Sequence, residues 1–294
     1  MFARVSYTWQ LMAASWSLLK RDKALVLFPL FSGIACILVI ASFATPLYFV
    51  NMSDWIGSLG HSSLGHSSRP LTQQQEIVAG VYLFAFYFVN YFVITFFNVG
   101  IISCAACRIA GGEPTFNTGI QAALNRIHLI AGWALVSATV GLALKMLESH
   151  KKIGQIVAGL LGAAWTFATF LAVPVLVVEN KGPIDAVKQS LVLLKKTWGT
   201  ELIGNFSFGV IFFLLLLPGI AGLVFAFFLT SSVSGAAGFL MLALAVAYIL
   251  SLALVQSALH SIFQAALYMY TQGVSDESGA FPANLMGNAM NGNG

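Results

Sequence analysis

The chain of 294 residues is 59% hydrophobic and only 8% charged, with a formal net charge of +4 and a mean hydropathy of +0.87. A soluble domain carries roughly a quarter charged residues; 14 basic and 10 acidic side chains cannot cover a water-facing surface of this size. The composition excludes a soluble enzyme, a disordered chain and a nucleic-acid-binding module. It points to an all-α polytopic membrane protein.

The chain opens with an amphipathic lead in which Phe2, Val5, Trp9, Met12, Trp16 and Leu19 share one helical face. The first apolar run begins at Leu25 and continues to Val50, too long for the h-region of a secretory signal. About 20 apolar residues cross the hydrocarbon core as a helix. Six stretches qualify: Leu25–Val50, Ile77–Cys104, Leu129–Leu147, Ile153–Val178, Leu202–Leu229 and Ala236–Tyr270. Residues 1–271 form a single membrane domain on this reading. Ile211–Leu217 is apolar at every position, which a barrel strand alternating apolar and polar residues would not be.

Between the first two spans, Asn51–Gln75 is a hydrophilic loop containing HSSLGHSS. Before the third and fifth spans two further segments have helical periodicity but too much polarity to cross. One aligns Phe116, Ile120, Ala123 and Ile127; the other aligns Ile184, Val187, Leu191 and Leu194. With the lead, these read as interfacial amphipathic helices, the apolar face in the acyl boundary and the cations among anionic headgroups. Lys20, Arg21, Lys23, Lys188, Lys195 and Lys196 are the expected headgroup contacts. Pro114 and Pro183 stand where a helix can start, since the first turn needs no N–H from them. The tail from Gln272 to Gly294 is rich in Gly, Asn and Ser and reads as flexible.

Ser15-Trp16-Ser17-Leu18-Leu19-Lys20-Arg21 aligns without gaps on Ser190-Leu191-Val192-Leu193-Leu194-Lys195-Lys196, and both lead into a span. A middle copy at Gln121–His128 is weaker. The pattern suggests three units, each an interfacial helix followed by a transmembrane hairpin; chance similarity in a biased composition is the competing explanation. Counting Lys and Arg in alternate loops puts ten on the side of the termini and four opposite, which favours both termini in the cytoplasm. Lys145, Lys151 and Lys152 are the awkward cluster on the far side.

Catalytic chemistry is hard to assemble from these residues. HExxH, GxSxG and GxxxxGK[ST] are missing, and no span carries paired carboxylates at its centre. Cys104-Ala105-Ala106-Cys107 has half-site spacing without a second pair, so small residues at a span's end are the favoured reading. His61 and His66 lack a carboxylate partner or rigid frame, so no metal and no cofactor are expected. The polar residues with ligand-binding potential are Asn90 and Asn98 in the second span, and Gln256, His260 and Gln264, which recur every four residues on the sixth. That last stripe is expected to face the bundle interior, with Glu201 or Glu179 as the acid nearest in depth. Ala158/Gly162 and Gly159/Ala163 permit close helix approach, and Pro218 is expected to kink the fifth span.

Residues 1–33, MFARVSYTWQLMAASWSLLKRDKALVLFPLFSG, resemble an uncharacterised bacterial integral membrane family known only as a domain of unknown function. Val173–Trp198, VPVLVVENKGPIDAVKQSLVLLKKTW, is similar to a broader six-span group. That group includes a small enterobacterial inner-membrane family and the membrane domain attached to some glycerophosphodiester phosphodiesterases. Pro174, Glu179, Lys181, Gly182, Ala186, Ser190, Lys195, Lys196 and Trp198 carry the match. The phosphodiesterase activity of such fusions resides in a separate soluble domain, so the resemblance implies architecture, a bacterial inner-membrane address and an accessory role, not catalysis.

The function expected is a non-enzymatic accessory or scaffold in lipid organisation or envelope homeostasis. Its partners would be membrane lipids and a second copy or another membrane protein, with no nucleic acid. The alternative is a transporter or channel for a small solute or lipid, supported by the Asn and Gln–His–Gln positions. Orientation is testable with an impermeant thiol reagent on a background lacking native cysteines. A Ser63→Cys variant should label in intact cells and a Ser275→Cys variant should not; the reverse would overturn the topology.

Overall fold

The computed structural model describes residues 2–49, 73–148, 151–198, 203–232, 235–274 and 276–281. These residues form ten helices and no strand. In chain order they are α1 (Phe2–Arg21), α2 (Ala24–Phe49), α3 (Gln73–Ile109), α4 (Phe116–Leu124), α5 (Ile127–Glu148), α6 (Lys151–Ala168), α7 (Ala172–Val178), α8 (Pro183–Trp198), α9 (Ile203–Ser232) and α10 (Gly235–Thr271). Six stretches are long and apolar enough to span a membrane. The hydrophilic loop with His61 and His66, and Glu201, lie outside the described residues.

Contacts cluster into two units. One comprises the described residues of Met1–Leu30, Ile101–Gly119 and Leu193–Gly294; the other, those of Phe31–Gly100 and Ile120–Val192. In the first, α9 and α10 pair as a hairpin and α1 packs on both. Close approach in that hairpin requires glycine. A Cβ on Gly219 would lie 2.7 Å from Ile249, and one on Gly238 would overlap Thr230. Helix α9 continues from Ile203 to Ser232 through Pro218. Proline leaves the Leu214 carbonyl without its helical donor, and in the same turn the Tyr248 hydroxyl donates to the Leu215 carbonyl at 2.6 Å.

In the second unit α5 and α6 pair, with Trp133 and Trp165 stacked at 6.3 Å. Ala158 is buried and Gly162 approaches Leu144, whereas Gly159 meets nothing within 4 Å. Among the described residues, therefore, only the Ala158/Gly162 pair meets a neighbouring helix. The fourth span, expected as one helix, is interrupted between α6 and α7. Pro174 cannot donate to the Phe170 carbonyl and its ring crowds it, so the helix stops one turn upstream. The Leu171 N–H released by the break donates to Ser190 Oγ at 3.1 Å, and both residues are fully buried. Leu171, Ala172, Val175 and Leu176 are likewise at 0% exposure, making α7 a core element.

Starts and ends of helices follow local chemistry. Pro183 is the first residue of α8, but Pro114 lies ahead of α4. There Thr115 and Thr118 exchange backbone-to-hydroxyl bonds of 2.9 and 3.2 Å, a reciprocal cap. The second helix of each expected unit ends identically: the residue two beyond α3, α7 and α10 is left-handed, namely Gly111 (φ 81°), Asn180 (φ 52°) and Gly273 (φ 73°). Around both glycines the hydrogen bonds coincide. Gly111 N donates to Arg108 O and Gly112 N to Cys107 O; Gly273 N donates to Tyr270 O and Val274 N to Met269 O. This is the Schellman pattern, which occupies carbonyls left over at a helix end.

The aligned segments of α1 and α8 also share burial. Ser15 and Ser190 are at 0%, Leu18 and Leu193 at 0% and 6%, Leu19 and Leu194 both at 3%, while Lys20 and Lys195 are exposed. Part of each face expected in the acyl boundary is exposed, and part, at Leu19 and Leu194, packs inside. Trp16 is 40% exposed and Ile184 63%, because Ala14, Ser15 and Leu18, and in α8 Ala186, Ser190 and Leu193, turn into the protein instead. In α4 Ala123 is buried, but Ile127 is 46% exposed because it starts a new helix beyond a turn.

Ser190→Ala should leave the Leu171 N–H unpaired in a dry site and destabilise the fold by about 1–3 kcal/mol. Val192→Ala on the exposed face should change it by less than about 0.5 kcal/mol. Thermal unfolding in mild detergent compares them; equal shifts would mean that the Ser190 hydroxyl does not support the break before Pro174.

Candidate functional site

A polar constellation lies in the first unit, where α1 turns into α2. Asp22 N donates to Leu18 O at the end of α1, and Leu25 N donates to Asp22 O as α2 begins. The Asp22 carboxylate therefore stands beside the positive end of α2, and Arg108 occupies the last turn of α3, the negative end of that helix. Their side chains form a two-pronged pair: Arg108 Nε donates to Asp22 Oδ2 and Nη2 donates to Oδ1, the latter at 2.6 Å. The carboxylate is 12% exposed and the guanidinium 23%.

Around this pair the chain beyond α10 folds back, although its composition reads as flexible. Glu277 N donates to Ile109 O at 2.9 Å, Arg21 Nη1 donates to Ser278 O at 2.6 Å, and the Phe281 ring is 3% exposed. Asp276 organises the turn by accepting from Ser278 N at 2.9 Å, the Ser278 hydroxyl and Phe281 N. Gly111 serves twice. Its φ of +81° suits the cap, and a Cβ there would come within 2.4 Å of Glu277 Oε2. Cys104 is buried and its thiol donates to Thr115 O at 3.5 Å; Cys107 is exposed, its sulfur beside Gly112.

The positions singled out from sequence separate. His260 and Gln264 are half-buried, within a stretch where Ala258, Leu259, Ile262, Phe263, Ala266 and Tyr268 are all buried. Gln256 is exposed, contrary to expectation. Four-residue spacing fixes a helical face, but after the isolated buried positions Gly238 and Ala245 the dense burial of α10 starts at Ala258, so one face crosses from exposed to buried surroundings along its length. Glu179 pairs with Lys181 at 2.5 Å in its own turn. Asn90, half-buried, donates to Phe86 O one turn back at 2.9 Å; Asn98 is also half-buried.

Among the expected headgroup contacts, Lys20, Lys23, Lys188 and Lys195 are exposed. Lys20 lies over the Trp16 ring at 5.3 Å, and Lys188 is 3.4 Å from the equally exposed Asp185. Arg21 is exposed but commits one nitrogen to the Ser278 carbonyl; the Lys196 side chain lies outside the described residues.

Asp22, Arg108 and residues 276–281 do not stand out by motif or spacing, yet the sequence carries a signal for them. Asp22 is the only acid before residue 54, Arg108 the only cation between residues 70 and 125, and Asp276 and Glu277 the only acids after Glu201. Isolated charges at the mouths of apolar spans need partners.

Six apolar helices and the absence of strands among the described residues define a helical, multi-pass membrane protein. The chain belongs to DUF6159, a family of unknown function, whose model matches residues 77–279. The match runs from the start of the second apolar stretch into the segment folded back on α3. No curated protein and no solved structure matches the chain.

Asp22→Asn and Arg108→Gln should each lower stability, and the double variant should lose less than the sum. A partly exposed two-pronged pair calls for a coupling of about 1–2 kcal/mol, below that of a dry ion pair. A thermal-denaturation double-mutant cycle measures it; additive losses would show that the pair is not a unit.

Proposed function

We propose that the chain is a non-enzymatic integral membrane protein, an accessory or scaffold in lipid organisation or envelope homeostasis. Its place would be a bacterial inner membrane, with both termini cytoplasmic. The observation that carries the reading is the outer face of α8. Ile184 is 63% exposed, the Lys188 side chain 72%, Val192 55%, and Lys195 is exposed as well. Spaced by three and four residues, these alternate apolar and cationic groups along one stripe. Water alone gives no reason for that alternation. A headgroup layer does, taking the aliphatic groups into the acyl boundary and the ammonium groups among phosphates.

The exposed Trp16 and Lys20 repeat the arrangement on α1. A non-catalytic role is further supported by where the hydroxyls of the spans go. Thr139, Thr166, Thr230, Ser251 and Ser261 each donate to a carbonyl four residues back in their own helix. They serve the backbone rather than a substrate. The likeness of Val173–Trp198 to membrane domains attached to glycerophosphodiester phosphodiesterases fits an accessory role. Lipids are the partners this reading names, with a second copy or another membrane protein as the client of a scaffold.

The test is native mass spectrometry of lipid retained from equal mixtures of phosphatidylglycerol and phosphatidylcholine. Each cation near a negative surface contributes about 1 kcal/mol. Lys188→Glu with Lys195→Glu should therefore reduce phosphatidylglycerol preference by roughly tenfold or more. An unchanged ratio would sink the reading.

A further inference from the structure

We propose that residues 276–281 are an acidic strap that competes with anionic lipid headgroups for the basic corner formed by Lys20, Arg21 and Lys23. The proposal rests on the lipid reading above and adds a means of regulating it.

The corner presents three exposed cations within four residues. The acid among them, Asp22, is spoken for by Arg108 through two hydrogen bonds, so it does not offset their charge. The strap meets the corner through Arg21 and the Ser278 carbonyl, and it carries Asp276 and Glu277. The Asp276 carboxylate is turned inward onto Ser278 and Phe281 N–H groups. Glu277 lies against Gly111. Two negative charges thus lie within two residues of the carbonyl that Arg21 holds.

An anionic surface acts on both sides of that arrangement. It attracts the corner and repels the strap, over a range of about 8 Å at physiological salt. At Arg21 the exchange is specific: a phosphate oxygen replaces a neutral carbonyl as acceptor, and charge-assisted hydrogen bonds are roughly twice as strong. Among the described residues the strap's hold on the rest of the unit includes the Glu277–Ile109 and Arg21–Ser278 hydrogen bonds and one buried ring, Phe281. Holding energies of that size are within reach of a surface acting on three cations, each worth about fivefold in affinity. In neutral lipid the strap stays on α3 and on the corner; in anionic lipid it leaves, freeing Arg21 for the headgroups.

The unmodified full chain carries its own reporter. Glu277 is exposed, but glutamyl endopeptidase needs a free extended backbone around it, so cutting requires the Glu277–Ile109 hydrogen bond to open; the likewise exposed Glu148 serves as an internal control. In phosphatidylcholine nanodiscs Glu277 should be protected. In discs containing phosphatidylglycerol it should be cut at least about tenfold faster relative to Glu148. Lys20→Gln with Lys23→Gln should restore protection there. Rapid cutting in phosphatidylcholine would show that no strap is held, and equal protection in both lipids would show that lipid does not release it; either overturns the proposal. Acceleration by inorganic phosphate in phosphatidylcholine discs would assign the corner to a soluble anion and overturn it too. Equal protection with an intact phosphatidylglycerol preference by mass spectrometry removes the switch and leaves the lipid reading standing. Loss of both results removes both.

Discussion

A polypeptide in hydrocarbon must satisfy its own backbone, because no water is there to bond an idle N–H or C=O. Helices solve this in their interiors and leave it unsolved at their ends and breaks. Much of the structural detail in this chain is a response to that constraint. Gly111 and Gly273 wind the chain left-handed so that following N–H groups return to Cys107, Arg108, Met269 and Tyr270 carbonyls. Ser190 commits its buried hydroxyl to the Leu171 N–H freed by the interruption before Pro174. Tyr248 reaches across a helix pair to the turn that contains Pro218. Side-chain polarity, scarce in this composition, goes first to the backbone.

The same constraint links the end of α3 to the segment after α10. Glycine at 111 meets the conformational demand of the cap and the steric demand of Glu277 together, so two segments distant in sequence share one small residue. Asp22 and Arg108 pair at opposite ends of helix dipoles, which lets each charge be useful before they meet. After the left-handed residues at 111 and 180 the chain leads into α4 and α8. After the one at 273 it leads into the strap. In the threefold arrangement that the sequence suggests, the strap would thus hold the place after the last span that α4 and α8 hold after the second and fourth.

The six spans are legible in the sequence because about twenty apolar residues in a row admit few other fates. What escapes a sequence reading is set by single atoms rather than by composition. Phe170–Val178 is as apolar as any span; only the missing N–H of Pro174 foretells the break. A count of apolar residues in α1 and α8 marks a face for the acyl boundary but cannot show which face packs into the protein, because that one contains Ser15 and Ser190, both fully buried. The Gln256–His260–Gln264 spacing does define a face, but the depth at which packing begins is a tertiary property. The segment at 276–281 has the composition of a loose tail; its order comes from Asp276 accepting three local donors and from one phenylalanine. Asp22 and Arg108, 86 residues apart, can be matched only by asking where isolated charges would go.

The aligned helices differ at one informative point. In α1 the basic pair Lys20-Arg21 is followed by Asp22, whereas in α8 Lys195-Lys196 is followed by Thr197. An acid at the mouth of a span cannot be left bare against hydrocarbon, so the first unit requires a cation at the matching level, and Arg108 supplies it. Once Arg108 is fixed to Asp22, the end of α3 is fixed with it, and the Ile109 carbonyl and Gly111 become a rigid edge. A chain end carrying one N–H at the right place, Glu277, and one carbonyl within reach of Arg21 can then seat on that edge. Threonine at 197 brings no charge in need of a fixed cation, so the end of α8 lacks the feature from which such an edge is built. The difference between Asp22 and Thr197 in the two aligned segments thus accounts for a fixed cation at the α1–α2 corner, on which the strap seats.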